Sequence, residues 1–333
     1  MSSRFTKIIL ATLSVGVVLG VCVLILARKP VPETITYGIS FNTPYTHELG
    51  LDTREVFDAF IDDLGVRHLR LAAHWNIVEP EQDSYDFSEI DYQVHGAERV
   101  GADVIFGVGR RLPRWPECHV PEWASELSWE EQKEEIRTYI ITTVERYKDS
   151  PAILYWQVEN EPYLGVFARE HCGALDEAFL EEEIALVRSL DPTRQILVTD
   201  SGNLGTWNGA YKNGDVFGTS VYVYFWNPDL GKLKTILPPW TYRVKDNFMA
   251  LIHGRKQSVL IELSLEPWLL EPVTAVDIPT QYERMGPAVF REIIAYAQET
   301  RYDTQYLWGG EWWYWLKGHG KPALWEQAKE LFN

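Results

Sequence analysis

The sequence predicts an α/β fold of one kind, a (β/α)8 TIM barrel preceded by one N-terminal transmembrane helix. Three observations carry this. Segments that read as strands and segments that read as amphipathic helices alternate eight times, with mostly short connections, the order of a closed parallel barrel. Several strand segments are near-continuous apolar runs, as in sheets buried on both faces, and ILYWQV (Ile153–Val158) is the clearest. About 300 residues follow the N-terminal apolar segment, the size of one such barrel. An open doubly wound sheet would show the same alternation, but no G-x-G-x-x-G or phosphate-binding loop follows any strand. Residues 1–30 are assigned to a signal anchor with its flanks, 31–35 to a tether, and 36–333 to the barrel.

Taken in order, YGISFN (Tyr37–Asn42) is the first strand. Asp52 caps a run from Arg54 to Leu64 whose Val56, Phe57, Phe60, Ile61 and Leu64 form one stripe. Val66–Trp75 is the second strand, followed by a helix over Ser88–Gly101, and Ala102–Gly109 is the third. A long loop then runs to about Leu127, before a helix over Trp129–Tyr147 and the fourth strand. That strand ends in Glu159, Asn160, Glu161 and Pro162; Pro162 has no N–H to give a ladder. A helix over Leu175–Leu190 leads to the fifth strand, Gln195–Gly202, and Val216–Phe225 is the sixth. A helix near Tyr242–His253 precedes the seventh strand, Ser258–Pro267. A helix over Gln281–Glu299, an eighth strand over Thr304–Trp313 and the helical ALWEQAKELF close the chain.

Ile8–Ala27 are twenty consecutive uncharged, largely apolar residues. At about 1.5 Å per residue they match a hydrocarbon core of about 30 Å. A cleaved signal peptide, which would leave the protein secreted, usually has a shorter apolar stretch and a small-residue cleavage site, and Leu-Ala-Arg-Lys-Pro is a poor one. The expectation is therefore a membrane-anchored protein with its barrel outside the cytosol, at the cell surface or in the periplasm. Residues 1–30 carry four basic and no acidic residues, so the remainder holds 27 basic against 48 acidic, a net of −21. Such a surface repels phosphate backbones, which argues against nucleic acid as a partner. The 14 Trp and 17 Tyr are a heavy load for one domain, and flat aromatic rings are a common platform for sugar rings.

Two carboxylates are out of place. Glu161 lies at the carboxyl end of a buried strand, where parallel α/β folds put their chemistry. Glu262 interrupts the apolar run Val259-Leu260-Ile261-Glu262-Leu263, three strand–helix units later. Strands four and seven face each other across a barrel mouth, and two carboxyls flanking one bond are the equipment for glycoside hydrolysis. Glu266 is a competitor for the second place, in a loop where carboxylates are usually solvated.

With these residues named, WQVENEP and LIELSLEPW are seen to resemble segments of the clan A retaining glycoside hydrolases, the (β/α)8 superfamily of endoglucanases, mannanases and β-galactosidases. The resemblance covers about residues 36–330. It implies acid/base catalysis by Glu161 and nucleophilic attack by Glu262 on a β-linked oligo- or polysaccharide, without a cofactor. It also implies that Arg70 supports the nucleophile and that Asn160 binds the sugar 2-hydroxyl. Tyr222 resembles the strand-six tyrosine that touches the nucleophile, with Tyr224 as the fallback. Trp308 resembles the strand-eight tryptophan that floors the subsite, although a core tryptophan fits equally, and Trp75 with the loop after it resembles a common second-loop pattern in which Glu79 is structural.

The chain departs from that pattern after strand three, where endoglucanase-like members often show a histidine and this chain reads GRRLPRWPECHVPEW. Arg110, Arg111 and Arg114 would either read an acidic sugar or form a loop salt-bridge network. Cys118-His119 and His171-Cys172 lie in neighbouring loops; a Cys118–Cys172 disulfide fits an exported protein better than a zinc site, because the spacing is not that of a finger or ribbon. No metal motif such as H-E-x-x-H occurs. The alternative from another class is a non-catalytic, membrane-anchored barrel that binds glycans or organises the cell envelope. Such a scaffold has no need of opposed carboxyls.

Overall fold

The computed structural model describes residues 20–166 and 168–332. Eight parallel strands close a barrel in which each pairs with the next in sequence and the last with the first. They are β1 (Thr36–Ser40), β2 (His68–Ala72), β3 (Asp103–Val108), β4 (Ile153–Val158), β5 (Gln195–Asp200), β6 (Val216–Val221), β7 (Gln257–Ser264) and β8 (Thr304–Trp308). The interior is filled by Ile105, Tyr155, Leu197, Val216, Val259, Ile261 and Tyr306, while the outward faces pack against the helices in one large core. This two-sided burial explains why the strands read as continuous apolar runs.

Local signals set the helix starts. Asp52 accepts N–H bonds from Arg54 and Glu55 at 2.9 and 3.0 Å. Ser128 and Glu131 form a reciprocal capping box at the head of helix Trp129–Tyr147, which buries Ile136, Tyr139, Ile140 and Val144.

Three expected elements differ. β6 ends at Val221, and Tyr224–Asn227 turns away to pair with Gly231–Lys234 as an antiparallel ribbon outside the barrel. The helix expected over Gln281–Glu299 is two, Ile278–Arg284 and Pro287–Thr300, because Pro287 cannot supply the N–H that continuation requires. The strand expected to reach Trp313 stops at Trp308, where Gly309 at φ 109° turns the chain into helix Gly310–Gly318.

Residues 8–19 of the expected membrane anchor lie outside the described residues, and residues 20–26 are helical. Among the described residues no helix is long and apolar enough to cross a membrane. The chain leaves that helix along the barrel floor, the end at which the strands begin. There Asn247 Nδ2 donates to the carbonyls of Leu26 and Arg28 at 2.7 and 3.0 Å, and Lys29 pairs with Asp246 at 3.3 Å.

Candidate active site

The site is assembled around Arg70 of β2, which is 2% exposed. Its guanidinium donates to Gln157 of β4 at 2.8 Å, to Asn160 Oδ1 at 2.6 Å and to Glu262 Oε2 of β7 at 2.9 Å. One cation thus ties three strands together at the mouth. Removing Glu262 would leave this buried charge with the neutral partners Gln157 and Asn160.

Glu262 reaches the mouth through an irregularity. Thr219 and Ser220 of β6 pair with Leu260 and Glu262, so β7 carries one residue more than its neighbour, and the register with β8 shifts at the same place. Val259 and Ile261 point into the barrel, and Leu260 and Leu263 point out to the helices. Strict alternation would send Glu262 outward with Leu260; the bulge turns it inward. Its second oxygen accepts the hydroxyl of Tyr222, which follows directly after β6.

Glu161 enters from the strained end of β4. Glu159 and Glu161, at φ 57° and 44°, both lie in the left-handed region that residues with a Cβ avoid, at about 1–2 kcal/mol each. Backbone and side-chain contacts hold this turn. The Glu161 N–H donates to Thr199 Oγ1 of β5 at 2.7 Å, and Ser220 Oγ of β6 donates to Glu161 Oε1 at 2.6 Å. Glu159 accepts the Arg110 and Arg111 N–H groups at 2.7 and 2.6 Å. That approach is possible because Gly109, at φ 117°, has no Cβ; one placed there would lie 2.5 Å from Glu159 Oε1. Burial, followed by the charges of Glu262 and Glu117, pushes the Glu161 carboxyl up to about 8. The mouth thus holds a carboxyl raised by burial and by its acidic neighbours, together with a carboxylate paired to Arg70.

Glu117 was not singled out from sequence, where it is one acid in a proline-flanked loop. Burial raises its carboxyl, and Arg111 pairs with it at 2.8 Å. Arg114 pairs with Glu266 at 2.7 Å, and Arg110 donates to the Cys172 carbonyl at 2.7 Å. Arg111 and Arg114 are thus engaged in salt bridges of the loop, and Arg110 is held on a backbone carbonyl. Glu266 is half-buried and held: its Oε1 accepts from Arg114 at 2.7 Å and from the Trp308 indole N–H at 2.8 Å.

Other expected site residues fall elsewhere. Trp308 is at the mouth but 4% exposed. Trp75 is fully buried, donates to Glu79 at 2.7 Å and packs on Trp123 and Tyr139, so it belongs to the core and cannot touch a substrate. Glu79, held by Trp75 and by the Asp83 N–H, is structural. The Tyr224 hydroxyl points away from the site, to Glu292. Cys118 and Cys172 form a disulfide that closes a 54-residue separation, a constraint worth about 4 kcal/mol in the chain-entropy description.

Residues 32–257 match the family model described as Cellulase (glycosyl hydrolase family 5). The match ends at the first residue of β7, so the place of Glu262 rests on the geometry above. Probable mannan endo-1,4-beta-mannosidase F of Emericella nidulans is 30% identical over 97 residues, 26% of this chain and 21% of that protein. A beta-galactosidase of an Arthrobacter species is 27% identical over 221 residues, 61% of this chain and 28% of that protein. The chain spans between 21% and 43% of the length of the curated relatives it matches. GH5_18 from Streptomyces cattleya, solved with GlcNAc, shares the fold at a TM-score of 0.56 and 13% identity, over 83% of this chain and 70% of that one. The family match spans most of the sequence and includes the Asn160-Glu161-Pro162 strand end, so the chain belongs to the cellulase family, glycosyl hydrolase family 5.

Proposed function

We propose that the barrel is a retaining glycoside hydrolase that cleaves a β-linked glycan by double displacement. The observation that carries this is the opposed pair: Glu161 pushed up to about 8 by burial and by Glu262, and Glu262 held by Arg70 and Tyr222. Glu161 gives its proton to the leaving glycosidic oxygen while a Glu262 oxygen bonds the anomeric carbon. Glu161, now a carboxylate, then takes a proton from water, which displaces Glu262 and restores both groups. Arg70 occupies Asn160 Oδ1, so the Asn160 amide N–H₂ is the group left to hold the sugar 2-hydroxyl. A carboxyl separation of about 5–5.5 Å belongs to this mechanism, against about 6.5–9.5 Å for inversion. The named relatives point to β-mannosides and β-galactosides as the first substrates to try. Proton NMR of the first product should show the substrate's anomeric configuration; an inverted product would replace the nucleophile with a base-activated water.

The same reading places the barrel outside the cytosol on a membrane anchor over residues 8–27. The disulfide supports this, since such bonds persist in oxidising compartments. Fractionation of the natural producer should recover the protein with membranes, with Cys118 and Cys172 closed to thiol reagents unless reduced. Soluble cytosolic protein with both thiols labelled would overturn it.

A further inference from the structure

The two halves of the barrel mouth differ. The loop after β3 is a rigid hook: His74 and His119 hold the carbonyls of Pro113 and Arg114 at 3.0 and 3.1 Å, the Glu117 N–H bonds Arg114 O at 2.7 Å, and the disulfide fastens its base to the loop after β4. From this hook Arg114 crosses to the opposite side of the ring. Its guanidinium lies 3.2 Å from the Tyr45 ring centroid, after β1, and 5.8 Å from that of Trp308 of β8, and it pairs with Glu266, after β7, at 2.7 Å. The mouth above β2, β1 and β8 is thereby spanned, and Tyr45 and Trp308, the aromatic faces on that side, are 2% and 4% exposed.

On the β6–β7 side the aromatic rings remain partly accessible. Tyr222, whose hydroxyl touches Glu262, stacks with Phe225 at 6.5 Å, and both meet Trp268 edge-on at 5.8 and 5.6 Å. Next along the ribbon, Trp226 borders an open cleft of about 360 Å³.

We propose that the enzyme acts on chain ends. The Arg114–Glu266 bridge closes the cleft one sugar beyond the scissile bond, and the rest of the glycan leaves over Tyr222, Phe225, Trp268 and Trp226. An internal attack needs two open exits from the carboxyl pair, and the bridge removes one. Arg114 and Glu266 are on this view specificity-determining residues, and the inference rests on the hydrolase reading above.

The test is the product pattern from end-labelled β-1,4-mannopentaose and cellopentaose, with aryl β-glycosides of single sugars as a control. The wild type should release a monosaccharide as the only early product, and Arg114→Ala and Glu266→Ala should gain internal cuts while still hydrolysing the aryl glycosides. Di- and trisaccharides among the first wild-type products would overturn the inference and leave the hydrolase reading intact, whatever the folding of the variants. Absence of cleavage of every pentaose and aryl glycoside would overturn the hydrolase reading itself, and this inference with it.

Discussion

Replacing Glu262 with alanine should abolish turnover of every glycoside, including aryl glycosides with activated leaving groups, by about 10⁵-fold or more, the scale on which enzymes depend on a nucleophile. No neighbour can substitute. Glu266 is bound by Arg114 and Trp308, and Glu117 by Arg111. The substitution also strands Arg70 at 2% exposure, and breaking a buried pair costs about 3–5 kcal/mol. Glu262→Gln is therefore the necessary companion, because its amide oxygen can still accept from Arg70 while the nucleophile is gone. Phenol release in single turnovers, measured beside a thermal melt, separates lost chemistry from lost fold. Wild-type-like turnover by either variant would assign the nucleophile to another residue.

Glu161→Ala should behave differently, since its partner can still attack. Substrates whose leaving group needs protonation should slow by about 10²–10⁴-fold, the usual contribution of a general acid. Activated aryl glycosides should still load the enzyme, then stall for want of a base. Azide should release the stalled intermediate as a glycosyl azide of retained configuration. The wild type should also show a pH limb at the raised carboxyl: kcat/KM falls as pH rises through about 8, because only protonated Glu161 can donate. Stability follows the same sign. A carboxyl raised on folding contributes stability that is complete below its unfolded value near 4.5 and lost as pH rises through about 8. Relative to the wild type, Glu161→Ala should therefore gain stability between those limits. An unchanged upper limb in the variant would give the donor's role to a different group.

The barrel and the strand-four acid were legible because both announce themselves locally. Two-sided burial makes β4 apolar throughout, and Pro162 marks where its ladder must stop. The capping residues Asp52 and Ser128 likewise sit beside the helices they start. What was not legible depends on contacts made at a distance. Trp75 and Trp308 are the same residue type at comparable strand ends, yet one is sealed by Trp123 and Tyr139 and the other faces Arg114 from a different loop. Tyr222 and Tyr224 look equivalent by alternation, but the strand ends at Val221 and the ribbon carries Tyr224 away. Glu117 becomes a mouth residue only through the fold of a hook whose Arg114 and Glu117 take left-handed backbone.

The extra residue in β7 has an evolutionary reading. Deleting Ile261 would restore an unbroken ladder with β6 and β8 and leave the following carboxyl facing inward, in the place Ile261 fills now. The bulge is thus reachable by a single-codon insertion into a regular strand whose carboxyl already faced the mouth, with no inert intermediate. Relatives whose strand is one residue shorter before this carboxyl can therefore keep it at the mouth, where a survey of residue spacing alone would set them apart.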